Sequence, residues 1–391
     1  MRPAFLNTAK MNLTNVKTEK ERVEIFDGVS LDIQNYGLRN DYPQRLKMLT
    51  AASVTAKGCL QTYAKFMQGS GFEDPNFYQA VINDRQEQVD QLLNRTVKDV
   101  ADFRGFAWHF NYNAMAEIVE VNFVHFEHCR LTIEDDNGRV GKIALHRDWT
   151  KKRRTTRISK QTIDYIDVFN PRRDVVLAQM VAAGGPENYK GQILYYNLDG
   201  DMVYPVPIYD AAITDISTEA GVSNVMYRNT RMNFMPAGML IRQLEEPDPK
   251  KEEGRSKDTS FTENFKAYQG DENACKIIDV EVDADEVKPE FVPFELKAKG
   301  PEMELTSRMV SEKIGKPFLQ PPILRAESVA TGFTLQAMRD AYDFYNSITQ
   351  PERVELERVF QTVFSKFAQP VNPGGNYAIK PLSYGNAAAA V

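Results

Sequence analysis

MVSEKIGKPFLQPPILRAESVATGFTLQAMRDAYDFYNSITQPERVELERVF, residues 309–360, decides how the chain is read. It opens inside a helix expected over Met303–Ile314. Gly315, Pro317, Pro321, Pro322 and Gly332 then interrupt the helical pattern. Proline removes a backbone donor and glycine costs backbone entropy, so this run reads as a loop. Phe318, Leu319, Ile323 and Leu324 supply it with apolar anchors. A strongly patterned helix follows over Phe333–Ile348. Thr349-Gln-Pro-Glu352 has the capping-box spacing with proline in the first turn, which restarts a helix. Leu356, Val359, Phe360, Val363, Phe364 and Phe367 fall on one side of it. These aromatics at helical spacing read as core. The tail after Pro370 is rich in Gly, Asn and Ala and is expected to be mobile.

Working outward, residues 245–260 (EEPDPKKEEGRSKDTS) carry almost no apolar side chain and read as a solvated loop. A short strand (Gly238–Leu244), a helix (Thr259–Tyr268) and a second strand (Cys275–Val282) surround it, a small β-α-β unit. The acidic run DVEVDADEVKPE leads out of that unit. Upstream, Pro205 and Pro207 precede an amphipathic helix reaching Arg231, with Tyr209, Ala212, Ile213, Ile216 and Ala220 on one face. At 1.5 Å per residue such a rod is roughly 36 Å long, which suits a wall element.

The first half changes pattern twice. After a polar arm over residues 1–40, one helix is expected from Tyr42 to Gln68, stopped by Gly69 and Gly71. A second runs from Val81 to Val100 and ends before Gly105. From Phe106 onward FAWHFNYN, AEIVEVNFVHFEH, CRLTIE, GKIALHRDW, TIDYIDVF and GQILYYNL are strand-like, with Asn137-Gly138 and Asp199-Gly200 as turns. Residues 41–205 thus read as one α+β domain on an antiparallel sheet.

Composition excludes several classes. The chain has 391 residues, 42% hydrophobic and 26% charged, enough to fill a real core. It contains no run of about 18 apolar residues, so no membrane-spanning helix is expected. MRPAFLNTAKMNLTNVKTEK lacks the apolar centre of a signal peptide. The three cysteines form no CxxC, so neither a disulfide framework nor a zinc site is supported. A net charge of −6 argues against a surface built to grip nucleic acid throughout. Walker, dinucleotide-binding and nucleophile-elbow patterns are all missing.

Three clusters invite a chemical reading. Glu134-Asp135-Asp136 abuts the Asn137-Gly138 turn, so a solvated turn is preferred to the metal site of a nuclease. His125 and His128 lie three apart in a strand-like run, which directs them to opposite faces. Lys151, Lys152, Arg153, Arg154 and Arg157 could meet phosphate, the basis of a rival reading as a nucleic-acid-binding protein. A charge-protected strand edge is the plainer account of that run.

Four segments carry a resemblance. They are YPQRLKMLTAASVTAKGCLQTYAKFMQGSGF, GDMVYPVPIYDAAITDISTEAGVSNVMYRNTRMNFMPAGML, TENFKAYQGDENACKIIDVEV and the 309–360 stretch. In this order and spacing, across residues 36–368, they resemble the portal proteins of tailed bacteriophages and prophages. The resemblance implies a portal-type α+β fold with an α/β wing, long stem helices, a small β-α-β clip, a tunnel loop and C-terminal helices. Carried onto this chain, it implies an N-terminal arm at 1–40, a wing at 41–207 and a first stem helix at 208–232. The clip then falls at 233–298, the second stem helix at 299–315, the tunnel loop at 316–331, tunnel-to-wing helices at 332–368 and a flexible tail at 369–391. The wing around 106–200 matches only in general character, and the C-terminal crown of larger members is reduced or missing.

The family is a homo-oligomeric ring of about twelve subunits at one capsid vertex of the virion, made in the host bacterial cytoplasm. It passes double-stranded DNA, docks the large terminase and then a head–tail adaptor, and contacts the major capsid protein. It has no enzymatic activity and needs no cofactor, metal or membrane. Twelve copies at −6 each sum to −72 formal charges, which favours passage of DNA over tight binding. Lys313, Lys316, Arg325 and Arg339 are the candidates to face the DNA channel. Arg242, Lys250, Lys251, Arg255 and Lys257 are the candidates to dock partners at the clip.

Overall fold

The computed structural model describes residues 25–28, 31–136, 138–150, 158–200, 203–231, 238–243, 277–282, 290–293, 300–325 and 334–385. The described residues begin with an antiparallel pair, β1 (Ile25–Gly28) and β2 (Ile33–Tyr36), followed by helices α1 (Tyr42–Ala52), α2 (Val54–Gln68), α3 (Pro75–Tyr78) and α4 (Val89–Phe103). Strands β3 (Gly105–Tyr112), β4 (Ile118–Val124), β5 (Cys129–Leu131), β6 (Lys142–Leu145) and β7 (Asp164–Val168) come next. Helix α5 (Arg173–Ala182) then leads to β8 (Gln192–Asn197). The long helix α6 (Ile213–Arg231), strands β9 (Gly238–Gln243), β10 (Ile277–Val282) and β11 (Glu290–Pro293), and helix α7 (Gly300–Gly315) follow. Helices α8 (Leu335–Ile348) and α9 (Gln350–Phe364) complete the order.

The α+β class holds, but the sheet is mixed. Its order is β4-β3-β8-β7-β6-β5, and β7 pairs with β8 in parallel while the other neighbours are antiparallel. The parallel pair requires a crossover, which α5 supplies. Neither α5 nor the parallel pairing was expected. The 173–182 segment is short and almost wholly apolar after Arg173 and Asp174, so it shows no helical alternation.

Trp108 on β3 is fully buried and shows how the helices are seated on the sheet. Its Nε1–H donates to Thr96 Oγ1 of α4 at 2.9 Å, and its ring meets Phe360 of α9 at 4.8 Å. Thr96 Oγ1 in turn donates to Leu92 O, so the buried indole and hydroxyl are both satisfied. Phe77 sits 5.3 Å from Phe364 and 5.1 Å from Tyr377, extending the aromatic seam to the C-terminal segment. That seam is the expected stripe of α9: Leu356, Val359, Phe360, Val363 and Phe364 are all buried.

Several local expectations change. The helix over 42–68 breaks at Ser53, which adopts an extended conformation and caps α2 by accepting from Ala56 N at 3.0 Å. The helix expected from Val81 begins at Val89, because residues 81–88 fold back with Ile82 N donating to Glu87 O. His125 and His128 bracket a 3₁₀ turn, Phe126–His128, so their rings lie 5.2 Å apart instead of on opposite faces. Thr349 forms no capping box: its Oγ1 donates to Tyr345 O at 3.0 Å, and Tyr63 OH takes Glu352 at 3.1 Å. The arm is not polar throughout, since Ile33 and Tyr36 are core residues.

The tail is docked through residue 385. Ile379 is buried and bridges Phe72, Ser70 N donates to Lys380 O at 2.8 Å, and Lys380 N donates to Gly71 O at 2.9 Å. A side chain at Gly69 would put its Cβ 2.2 Å from Lys380 O, so only glycine admits this strand of tail. Composition suggested mobility there; backbone pairing to a partner about 300 residues away overrides it.

Asn137, the basic run 151–157 and the expected helix 259–268 lie outside the described residues. The flanks of Asn137 nevertheless pair as expected, with Glu134 bridged to Val140 and Asp135 Oδ1 accepting from Arg139 N at 2.8 Å. Strands β9–β11 form a separate three-stranded sheet in which β10 is parallel and β11 antiparallel to β9.

At the far end of the main sheet Arg130 is fully buried. Its guanidinium donates to Asn40 Oδ1 (2.5 Å), Asn40 O (2.8 Å), Cys129 O (2.7 Å), Glu127 O (3.1 Å) and Gln44 Oε1 (3.2 Å). The rings of Trp149 and Tyr36 cover it at 5.1 and 5.6 Å. Arg130→Met leaves these acceptors without a donor and is expected to cost about 3–5 kcal/mol, read from denaturant midpoints. Arg130→Lys recovers little of this, because an ammonium cannot reproduce the planar fork.

Asp99 on α4 generates a pH dependence. Burial pushes its carboxyl up to about 8, against the hydrogen bond from Phe126 N at 2.9 Å that favours the charged form, with Asp102 adding to the rise. Burial pushes Asp102 up to about 6. Both groups hold their protons more tightly folded than unfolded. Stability from them is therefore full below the ordinary aspartate range and is lost as pH rises toward 8. Burial lowers His125 and His128, which works oppositely and weakens the fold as pH falls below their ordinary range. Asp99→Asn keeps an acceptor for Phe126 N. It is expected to raise stability at pH 8 and to flatten the loss between about pH 5 and 8, measured by chemical denaturation across pH.

Candidate assembly site: the paired long helices and the loop at their base

Helices α6 and α7 pack against each other, and α6 spans roughly 28 Å at the standard rise. Among the described residues their buried side chains lie toward one end. Ile216 on α6 and Val310 and Ile314 on α7 are buried, while Met226 (52% exposed), Tyr227 (62%), Leu305 (59%) and Met309 (50%) stand open.

The buried end is tied to the α1–α2 break. Glu219 of α6 accepts from Ser53 Oγ and from Thr55 Oγ1 at 2.8 Å. Thr55 Oγ1 also lies 3.3 Å from Ser311 Oγ of α7. Ser53 thus serves two helices, capping α2 and holding α6. Its signal in the sequence was a β-favouring Ser-Val-Thr inside an apparently continuous helix. Upstream, Tyr42 OH donates to Asp210 Oδ1 at 2.8 Å and Tyr209 OH donates to Asp102 O at 2.7 Å, fixing the approach to α6.

The segment after α7 folds as two 3₁₀ turns, Lys316–Phe318 and Pro322–Arg325. Residues 326–333 lie outside the described residues. Phe318 is buried and stacks 6.1 Å from Tyr209. Gln320 is buried and donates to Cys59 O at 2.6 Å and to Tyr345 OH at 3.0 Å, which locks the loop to α2 and α8. Leu324 packs partly into the core as expected. Leu319 does not: it takes a left-handed backbone (φ 51°) and is 59% exposed. The sequence missed Gln320, because a buried amide has no periodic signature.

The four cations proposed to face a channel are only partly gathered. Lys313 sits 3.7 Å from Asp215 and ties α7 to α6 while remaining exposed. Lys316 is exposed at the end of α7. Arg325 lies against that same end: a Cβ on Gly315 would come within 1.7 Å of its Nη1. A guanidinium there meets the negative end of the helix dipole. Arg339 is exposed on α8 near Gly385, on a different element. Of the docking candidates, Arg242 lies on β9 in register with Glu281, and Lys250, Lys251, Arg255 and Lys257 lie outside the described residues. So do Lys151, Lys152, Arg153, Arg154 and Arg157. Glu134, Asp135 and Asp136 are exposed around the hairpin turn, and no three His, Cys, Asp or Glu side chains converge as a metal site among the described residues.

No family model and no curated protein matches this chain. Among solved structures it is similar to chains of gene transfer agent (GTA) particles. A chain from the neck of the native particle, computed with C12 symmetry, is 11% identical with a TM-score of 0.47, over 84% of this chain and 82% of that one. One from the virion of the native particle is 13% identical with a TM-score of 0.42, over 86% and 83%. One from the neck of the empty particle, computed with C6 symmetry, is 11% identical with a TM-score of 0.47, over 87% and 84%.

Proposed function

We propose that this chain is the repeating subunit of a portal ring, the head-to-tail connector at one vertex of a phage-type capsid. The ring passes double-stranded DNA in packaging and ejection. It offers its clip to a terminase and then to a tail adaptor, and carries out no chemistry itself. The observation that carries the reading is the α6–α7 pair, anchored at one end and open along the rest. Its Met226, Tyr227, Leu305 and Met309 are left exposed among the described residues, and a neighbouring subunit beside them would bury them. A contact between different faces of identical subunits closes into a ring when the rotation closes. The order of the elements supports the same reading: a long helix, a small sheet, a second long helix, then an anchored loop and two helices.

Native mass spectrometry or electron-microscopy class averages are expected to give closed rings of about twelve chains. Leu305→Glu with Met309→Glu places two charges on the open ridge and is expected to shift the population to monomers without lowering the unfolding midpoint of the monomer. A wild-type chain that stays monomeric at high concentration and binds DNA in a salt-dependent way would favour the rival nucleic-acid-binding reading.

Lys313, Lys316 and Arg325 sit at the junction of stem and loop, where passing phosphates would meet them. Replacing them and Arg339 together by Gln is expected to slow packaging in a reconstituted motor assay while leaving ring mass unchanged. Unchanged packaging would remove the channel role from these four residues.

A further inference from the structure

Helices α1, α2 and α4 enclose a groove of about 630 Å³. Its floor is apolar, formed by Leu60 and Ala64 of α2 and Val97 and Ala101 of α4. Its rim is cationic. Lys57 and Lys65 line one wall, Lys98 the other, and Lys47 closes the end. Lys47 is engaged with Glu127 at 2.7 Å. Among the described residues, Lys57, Lys65 and Lys98 make no ion pair. Asp102 is the only carboxylate among the described lining residues, and burial raises it to about 6. A smaller hollow of about 240 Å³ shares Gln68, Asn94 and Lys98 with it and adds Asp90 and Arg95.

This patch runs against the charge of the chain, which is −6 overall. Lysines alone would suit a phosphate backbone, but a phosphate backbone has no use for a floor of Leu, Val and Ala. A helix laid in a groove uses both, with apolar side chains at i, i+4 on the floor and charges toward the rim. Lys57 and Lys65 are eight residues apart, about 12 Å along α2, which matches two turns of such a helix. We infer that the α2–α4 groove docks an acidic amphipathic segment of a partner protein, its apolar ridge on Leu60, Ala64, Val97 and Ala101 and its carboxylates at Lys57, Lys65 and Lys98. The inference does not depend on the ring reading, since the groove is complete within one chain.

The test uses the full purified chain in its native oligomeric state. The probe is a fluorescein-labelled peptide of about 18 residues, roughly five turns, with Leu and Glu at helical spacing. Binding by anisotropy is expected to weaken with salt and to be lost by about tenfold or more in the Lys57→Glu, Lys65→Glu, Lys98→Glu variant, the sum of three exposed ion pairs. All three lysines are exposed, so the variant's unfolding midpoint is expected to match wild type. A poly-Glu peptide of equal length, lacking the apolar ridge, is expected to bind at least about tenfold more weakly. A photo-cross-linking residue in place of Gln61 is expected to label the Leu/Glu peptide. Three results would each overturn the inference: binding unaffected by the charge reversals, equal competition by poly-Glu or duplex DNA, or a Gln61-site cross-link joining two copies of this chain. The last would make the groove a self-interface.

Discussion

Arg130 is a buried positive charge that meets no carboxylate among the described residues, and the seating of α1 on the sheet depends on it. Stripping a guanidinium of water costs several kcal/mol unless every N–H finds an acceptor. Here the acceptors are carbonyls and amides drawn from three segments, Asn40, Gln44 and the 127–129 turn. Satisfying one side chain therefore positions the start of α1 against the edge strand β5. Asn40 also accepts from Tyr36 N, and Tyr36 stacks 4.2 Å from Tyr204 while its hydroxyl donates to Pro205 O. Pro205 begins the approach to α6. A run of hydrogen bonds and ring contacts thus leads from a buried cation to the segment that enters α6.

The lower ends of α6 and α7 are tied to the main body by polar contacts. Glu219 binds Ser53 and Thr55, and Ser311 stands beside Thr55, so three elements share one polar joint. Gln320 and Phe318 hold the following loop on the same body. Beyond that joint Met226, Tyr227, Leu305 and Met309 stand exposed. The α2–α4 groove is a different kind of surface, apolar below and cationic above, and lies within a single chain.

Much of this was legible in the residues. The stripe of α9 is intact because Leu356, Phe360 and Val363 repeat at helical spacing, with Phe360 against Trp108 of the sheet. Strands β3 to β8 were legible from aromatic and β-branched runs, and the stop of α2 from Gly69. The long helices α6 and α7 announced themselves through proline and glycine at their ends. What misled was composition used as a guide to order. The Gly- and Asn-rich tail is held by backbone hydrogen bonds to residues 70–73, which no side-chain pattern encodes. Thr349 and Glu352 have capping-box spacing, yet each finds a better partner elsewhere.

By itself the sequence determined the α+β class, the long helices and their punctuation, and the lack of familiar catalytic motifs, since these depend on periodicity and local backbone chemistry. Tertiary structure alone decided the parallel β7–β8 pair, the Ser53–Glu219 joint, the Arg130 cage and the meeting of His125 with His128. Each joins groups that are polar and aperiodic, or distant along the chain. A hydrogen bond or buried charge is worth forming only where folding has already excluded water, and that exclusion is a property of the packed whole rather than of any local stretch.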